Sequence, residues 1–165
     1  MKKSSLFFAV FFAVTCYAGD IVGFRDMLWG DPSSKLGGSV TVEKNEIYKI
    51  TYRKKIKDNL NIGQSKLDEL VYGFFDDKLY VVSAKFEGMA NFYSIVNAFE
   101  SKYGKMSKIN KFNDYRLILS RPDSFIVVEL NQFTKKGNFG IVNQTISSQK
   151  QKYEKDIDEK GAKDL

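Results

Sequence analysis

The chain has 165 residues, with 26 Lys and Arg against 20 Asp and Glu, no histidine and one cysteine. Without histidine there is no Ser-His or Cys-His nucleophile pair and no imidazole metal site. A formal net charge of +6 is compatible with weak attraction to anionic surfaces such as lipid head groups or cell-wall polymers, though an interspersed charge pattern more simply describes a soluble surface.

Lys2 and Lys3 precede an apolar run, Leu6–Val14, and Cys16-Tyr17-Ala18 supplies a small-x-small site before Gly19. This is the pattern of a secretory signal peptide, too short to cross a bilayer as a helix. Residues 1–18 are expected to be cleaved and the product to be periplasmic or secreted. Acylation of Cys16 is the other reading, but Thr15 stands where lipoprotein signals prefer Gly, Ala or Ser. Cleavage removes the cysteine, and with it thiol redox and thiolate zinc chemistry. An exported chain without disulfides must rest on its apolar core. No later apolar run is long enough for a membrane-spanning helix. Residues 19–146 suit a single domain, with a charged tail over 147–165.

Ile21–Gly30 reads as a short strand or extended lead-in. Asp31 and Pro32 suit the N-cap and first position of a helix that Gly37-Gly38 keeps short. Val40–Glu43 and Ile47–Arg53 read as strands. Arg53, Lys54, Lys55 and Lys57 then form a basic cluster beside Tyr52. Such a cluster can serve nucleic acid, but export makes a solvated strand end the better reading.

Leu67–Gly104 carries the clearest pattern. Leu70, Tyr72 and Phe74 alternate with Glu69, Val71 and Phe75, and Tyr80, Val82, Ala84 and Phe86 alternate again after Asp76-Asp77. Two alternating runs around so short a polar break predict an antiparallel hairpin. The period then changes to 3.6: Phe92, Ile95, Val96, Phe99 and Tyr103 fall on one helix face, with Asn91 as expected N-cap and Gly104 as expected C-terminal glycine. These aromatics are expected in the core.

Lys105–Asn113 reads as a basic connection, Tyr115–Ser120 as a strand and Arg121–Ser124 as a turn. Phe125–Leu130 is apolar on nearly both faces and is expected centrally in the sheet. Phe139–Ile146 is the last expected strand. The tail has few apolar residues, Tyr153 and Ile157 among them, and is expected to be a weak helix fraying into disorder. The whole predicts an α+β fold: an antiparallel sheet of about five to six strands with one main amphipathic helix packed on it, plus the weak C-terminal helix.

Several residues together carry a resemblance: Phe24-Arg25 and Trp29-Gly30, then Tyr52-Arg53, Leu60, Ile62-Gly63, Leu67, Val71-Tyr72-Gly73-Phe74, Asp77, Leu79, Val82, Phe86, Gly88 and Tyr103-Gly104. On these the chain resembles a family of small exported bacterial proteins without an established activity. Asp26 stands where a small residue such as Gly would be expected. The resemblance covers Phe24–Gly104 well and the later strands loosely. It implies an exported α+β domain and supplies no catalytic residues.

No cofactor, metal site or catalytic residue is expected. The sequence points to an exported, non-enzymatic binding or accessory module of the bacterial cell envelope, whose partner is another envelope protein or an anionic surface, not nucleic acid. Its contact residues are expected among Arg25, Trp29 and Arg53, where core patterning accounts for least. The alternative is a small carboxylate-dependent hydrolase acting on an envelope glycan, with Asp76, Asp77 and Glu87 as candidates. A third reading is a peripheral membrane or polymer binder using Arg53–Lys57. Oligomeric state is not legible.

Overall fold

The computed structural model describes residues 19–111 and 114–163. The expected signal segment, with Cys16, lies outside the described residues. Two short strands, β1 (Gly23–Phe24) and β2 (Met27–Leu28), form a small hairpin, followed by a 3-10 turn at Ser33–Leu36. β3 (Ser39–Asn45) and β4 (Ile50–Lys55) precede a second small hairpin, β5 (Asn61–Ile62) and β6 (Ser65–Lys66). Then come β7 (Glu69–Phe75), β8 (Lys78–Glu87) and α1 (Met89–Tyr103). β9 (Ser107–Lys111), β10 (Asp114–Ser120), β11 (Ser124–Asn131) and β12 (Lys136–Asn143) follow, and α2 (Gln144–Lys163) closes the described chain.

The fold is α+β. Eight strands form one antiparallel sheet in the order β3-β4-β7-β8-β12-β11-β10-β9. It consists of two four-stranded meanders, each followed by a helix, which meet where β8 pairs with β12. The sheet has more strands than the five or six expected. The one strand of the eight that the sequence pattern does not mark is β9, within the stretch read as a basic connection. An edge strand needs only one neighbour, here β10, so Ser107–Lys111 can pair without an apolar pattern. β11 is interior, but β8 and β12 hold the centre, because Phe139 and Ile141 of β12 fill the core opposite Ala84 and Val82.

The turn between β7 and β8 is Asp76-Asp77, with φ of 47° and 57°, the left-handed pair that a two-residue hairpin turn requires. Leu70, Tyr72 and Phe74 face the main core, where Phe92, Ile95, Val96, Phe99 and Tyr103 of α1 bury their expected face. Gly88, not Asn91, holds the N-cap position. It turns the chain from β8 into α1 in one residue, and Asn91 Nδ2 instead donates to the Glu87 carbonyl at 2.8 Å. Ile21, Phe24, Met27 and Leu36 complete this core from the N-terminal side. The Phe24 ring stands 6.4 Å from the rings of both Tyr72 and Phe139.

Simple alternation places Tyr80 with Val82, Ala84 and Phe86. In the structure it points to the other face. Gly73 pairs with Val81 and Phe74 with Leu79, so Tyr80 is the extra residue of a bulge, and a bulge re-aims its side chain. There it packs with Ile50 and Phe75. α2 covers this second cluster. Its polar composition suggests fraying, yet the helix is continuous, because Ile146 and Tyr153 dock on the cluster. The Tyr153 ring lies 5.8 Å from Phe75. The last strand stops at Asn143, whose Oδ1 accepts the Ile146 amide at 2.9 Å and so caps α2. Among the described residues no helix is long and apolar enough to cross a membrane.

Candidate functional site

α2 covers its face of the sheet only near the Asp76-Asp77 turn. Farther along β7 and β8 the same face is open and forms a groove of about 490 Å³, lined by Val42, Glu43, Tyr52, Glu69, Val71, Ser83, Ala84, Lys85 and Asn138. Alternation places four of them there. Val71 of β7, Ser83 and Lys85 of β8 and Asn138 of β12 are the residues between those that fill the main core.

Tyr52 forms the wall between the groove and the part covered by α2. It lies opposite Gly73 of β7, and its ring rests against the glycine backbone. A Cβ at position 73 would stand 2.8 Å from Tyr52 Cε1 and 2.4 Å from Val81 Cγ1. The ring thus crosses β7 to place its hydroxyl 2.8 Å from the Tyr80 hydroxyl. Burial, reinforced by the hydrogen bond with Tyr52, pushes the Tyr80 phenol up from its ordinary value, so it stays protonated.

One end of the groove is a cross-strand charge ladder. Glu69 of β7 takes Lys54 of β4 at 2.5 Å and Lys85 of β8 at 2.7 Å. Hydrogen bonds from Lys54 and then Lys85 hold its carboxyl below the usual range. Glu69 therefore stays ionised, the opposite of what a general acid for glycoside cleavage requires. The side chains of Glu43, Ser83 and Asn138 make no hydrogen bond or ion pair with other described residues. An unengaged carboxylate, hydroxyl and amide thus border an apolar surface of Val42, Val71 and Tyr52. This lining can hydrogen-bond and stack a ligand.

The three residues expected from the sequence lie elsewhere. Arg25, in the turn between β1 and β2, donates to Asp58 Oδ1 at 2.6 Å and to the Asn61 carbonyl at 3.2 Å, with its guanidinium 4.9 Å from the centre of the Phe24 ring. The other Asp58 oxygen accepts the Tyr72 hydroxyl at 2.9 Å. Burial, then the Asp58 charge, raises the Tyr72 phenol. Arg53 lies across from Tyr72 on β4, and its Nε donates to Ser39 Oγ at 3.0 Å. Trp29 stands at the open end of the β1–β2 hairpin, away from the turn that carries Arg25. Its Nε1 donates to the Ile21 carbonyl at 2.6 Å, and it borders a separate hollow of about 530 Å³ beside Arg121 and Ser124. Of the basic cluster, Lys54 is engaged by Glu69 and Lys55 by Asp26 at 3.3 Å. Asp76 pairs with Lys49 at 3.4 Å, and Asp77 Oδ1 accepts the Ser33 amide at 2.9 Å. Glu87 stands at the end of β8 opposite Lys136. None of these lines the groove.

The motif residues bind the N-terminal segment to the central hairpin. Besides the Arg25–Asp58–Tyr72 link, the Gly30 amide donates to the Leu79 carbonyl and the Leu79 amide to the Asp31 carbonyl, each at 2.9 Å. Sequence reasoning missed Glu43, Ser83 and Asn138 because exposed polar residues on strands are ordinary. One signal was present: Gly73 interrupts an apolar strand, and a glycine there marks close approach by another group.

Comparison with family models, with curated proteins and with solved structures finds no match to this chain.

Proposed function

We propose that the protein is an exported, non-enzymatic binding module of the bacterial cell envelope that holds a neutral saccharide segment in the sheet groove. The observation that carries this reading is the unengaged trio of Glu43, Ser83 and Asn138 beside the apolar surface of Val42, Val71 and Tyr52. A sugar offers hydroxyls to the first set and C–H faces to the second, the mixture by which pockets fix polar ligands. Glu43 and Glu69 are balanced by Lys54 and Lys85 around the groove, which favours an uncharged ligand. The secretory pattern of residues 1–18 and the resemblance carried by Phe24-Arg25, Trp29-Gly30 and Tyr72-Gly73-Phe74 support an envelope location. Turnover of the glycan is not part of the reading, since Glu69 is held ionised.

The test is calorimetric titration with neutral oligosaccharides released from envelope glycans. Binding by the native chain is expected, with loss on Ser83→Leu, which fills the groove, and weakening on Asn138→Ala. Equal binding by both variants, or no retention of any oligosaccharide, would defeat the proposal.

A further inference from the structure

A second surface stands apart from the groove. The turn between β11 and β12 presents Phe133, which at 74 % exposure is the most exposed large apolar side chain among the described residues. Its display is not a matter of slack backbone. Asn131 Oδ1 accepts the Phe133 amide at 3.1 Å, the Thr134 amide at 2.9 Å and the Thr134 hydroxyl at 3.1 Å. Asn131 Nδ2 donates to Asp114 on β10 at 3.0 Å. The Lys135 amide closes on the Asn131 carbonyl at 3.0 Å, and the Lys135 carbonyl takes the Gly88 amide at 2.8 Å, just before α1. The turn is therefore fastened to both its neighbours, and the ring is held out from a firm base.

The charges around it are unevenly spent. Lys135 and Lys136 flank the tip, and Lys57 and Lys66 lie in the segments at the same end of the sheet. None of the four has an ion pair among the described residues. Against them stand three carboxylates at that end: Asp68, Glu87 across the strand from Lys136, and Asp114, which keeps its charge while accepting from the neutral Asn131 amide. One aromatic held out beside two lysines, Lys135 and Lys136, fits a surface that is anionic outside and apolar beneath. A pocket in a protein partner would instead favour a cluster of apolar anchors at the contact centre.

We propose that the β11–β12 turn is a docking tip for an anionic lipid bilayer, with Phe133 entering the boundary of the acyl region and Lys135 and Lys136 meeting head-group phosphates. The protein then lies on the membrane and does not cross it. This is independent of the groove. It also differs from a polybasic mechanism through Arg53–Lys57, since Lys54 and Lys55 already have carboxylate partners.

The experiment is co-sedimentation of the protein, residues 19–165, with vesicles of phosphatidylcholine alone and of phosphatidylcholine mixed with phosphatidylglycerol. Binding is expected to the mixed vesicles and to weaken as salt rises. Phe133→Ser should reduce it about tenfold or more, and Lys135→Glu with Lys136→Glu by at least as much. Both sites are exposed, and an unchanged circular dichroism spectrum shows that the variants fold. In Phe133→Trp, emission should shift to the blue and be quenched by brominated lipid. Equal binding by Phe133→Ser and the native chain, equal binding to both vesicle types, or binding to neither would overturn the proposal. A Phe133-dependent cross-link to a protein without vesicle binding would overturn it in favour of a protein contact.

Discussion

The ring of Tyr52 occupies the space that a side chain at Gly73 would need, with Cε1 only 2.8 Å from the position of a Cβ there. Gly73→Ala must move both this ring and the Val81 methyl at 2.4 Å. Such overpacking is expected to cost about 1–3 kcal/mol. Tyr52 is also a groove wall, so under the saccharide-binding proposal the variant should lose binding as well as stability. Urea unfolding gives the first effect and calorimetric titration the second.

Glu69 should make stability depend on acid. Its folded-state carboxyl is lowered by Lys54 and Lys85, whereas in the unfolded chain it titrates near about 4.3. Its contribution is therefore complete above the unfolded value and is lost as pH falls through the lower folded value. With its side chain still 22 % exposed, screening by solvent holds the effect to about 0.5–1 kcal/mol. Glu69→Gln should flatten the stability–pH curve at the acid end by that amount, read from urea midpoints at successive pH values.

Asp58 is shared by two donors, Arg25 at 2.6 Å and Tyr72 at 2.9 Å. Asp58→Ala leaves both without their acceptor and is expected to cost about 2 kcal/mol. Tyr72→Phe removes one donor and leaves the other bond intact, so about 1 kcal/mol is expected. In a double-mutant cycle the two losses should not add, because the hydroxyl has nothing left to donate to once Asp58 is gone.

α2 depends on few apolar contacts, chiefly Ile146 and Tyr153. Tyr153→Ala removes the ring beside Phe75 and its contact with Lys49, whose Nζ lies 5.1 Å from the ring centre. Faster amide exchange is expected along α2 from about Tyr153 onward, with β8 and β12 unchanged. Uniform acceleration across the sheet would show instead that the helix is integral to global stability.

The elements that were legible in the sequence are those whose burial is one-sided and regular. The face of α1 is written in Phe92, Ile95, Val96, Phe99 and Tyr103, and the β7–β8 turn in two adjacent aspartates. Tyr80 was misplaced because one inserted residue reverses the facing of a strand, and no local composition marks a bulge. β9 was missed because an edge strand buries too little to impose a pattern. The groove was illegible for a different reason. Glu43, Ser83 and Asn138 come from three strands, and only the run of pairings from β3 through β4, β7 and β8 to β12 brings them to one face. Arg25 and Arg53 stood out because the core did not need them, yet their partners Asp58 and Ser39 account for both.

The seam between the two meanders governs how this chain reaches its fold. Each meander can close through its own turns, but β8 and β12 pair only after α1, β9, β10 and β11 have been gathered between them. That loop must close before its contacts repay the entropy. Joining the halves is therefore expected to limit the folding rate. Val82→Ala or Ile141→Ala should slow refolding, while substitutions within the β3–β4 hairpin should mainly speed unfolding; stopped-flow chevrons separate the two. Two chains that meet before either has closed its seam can each supply the other's second half, so refolding at high concentration should yield an exchanged dimer in which β8 of one chain pairs with β12 of its partner.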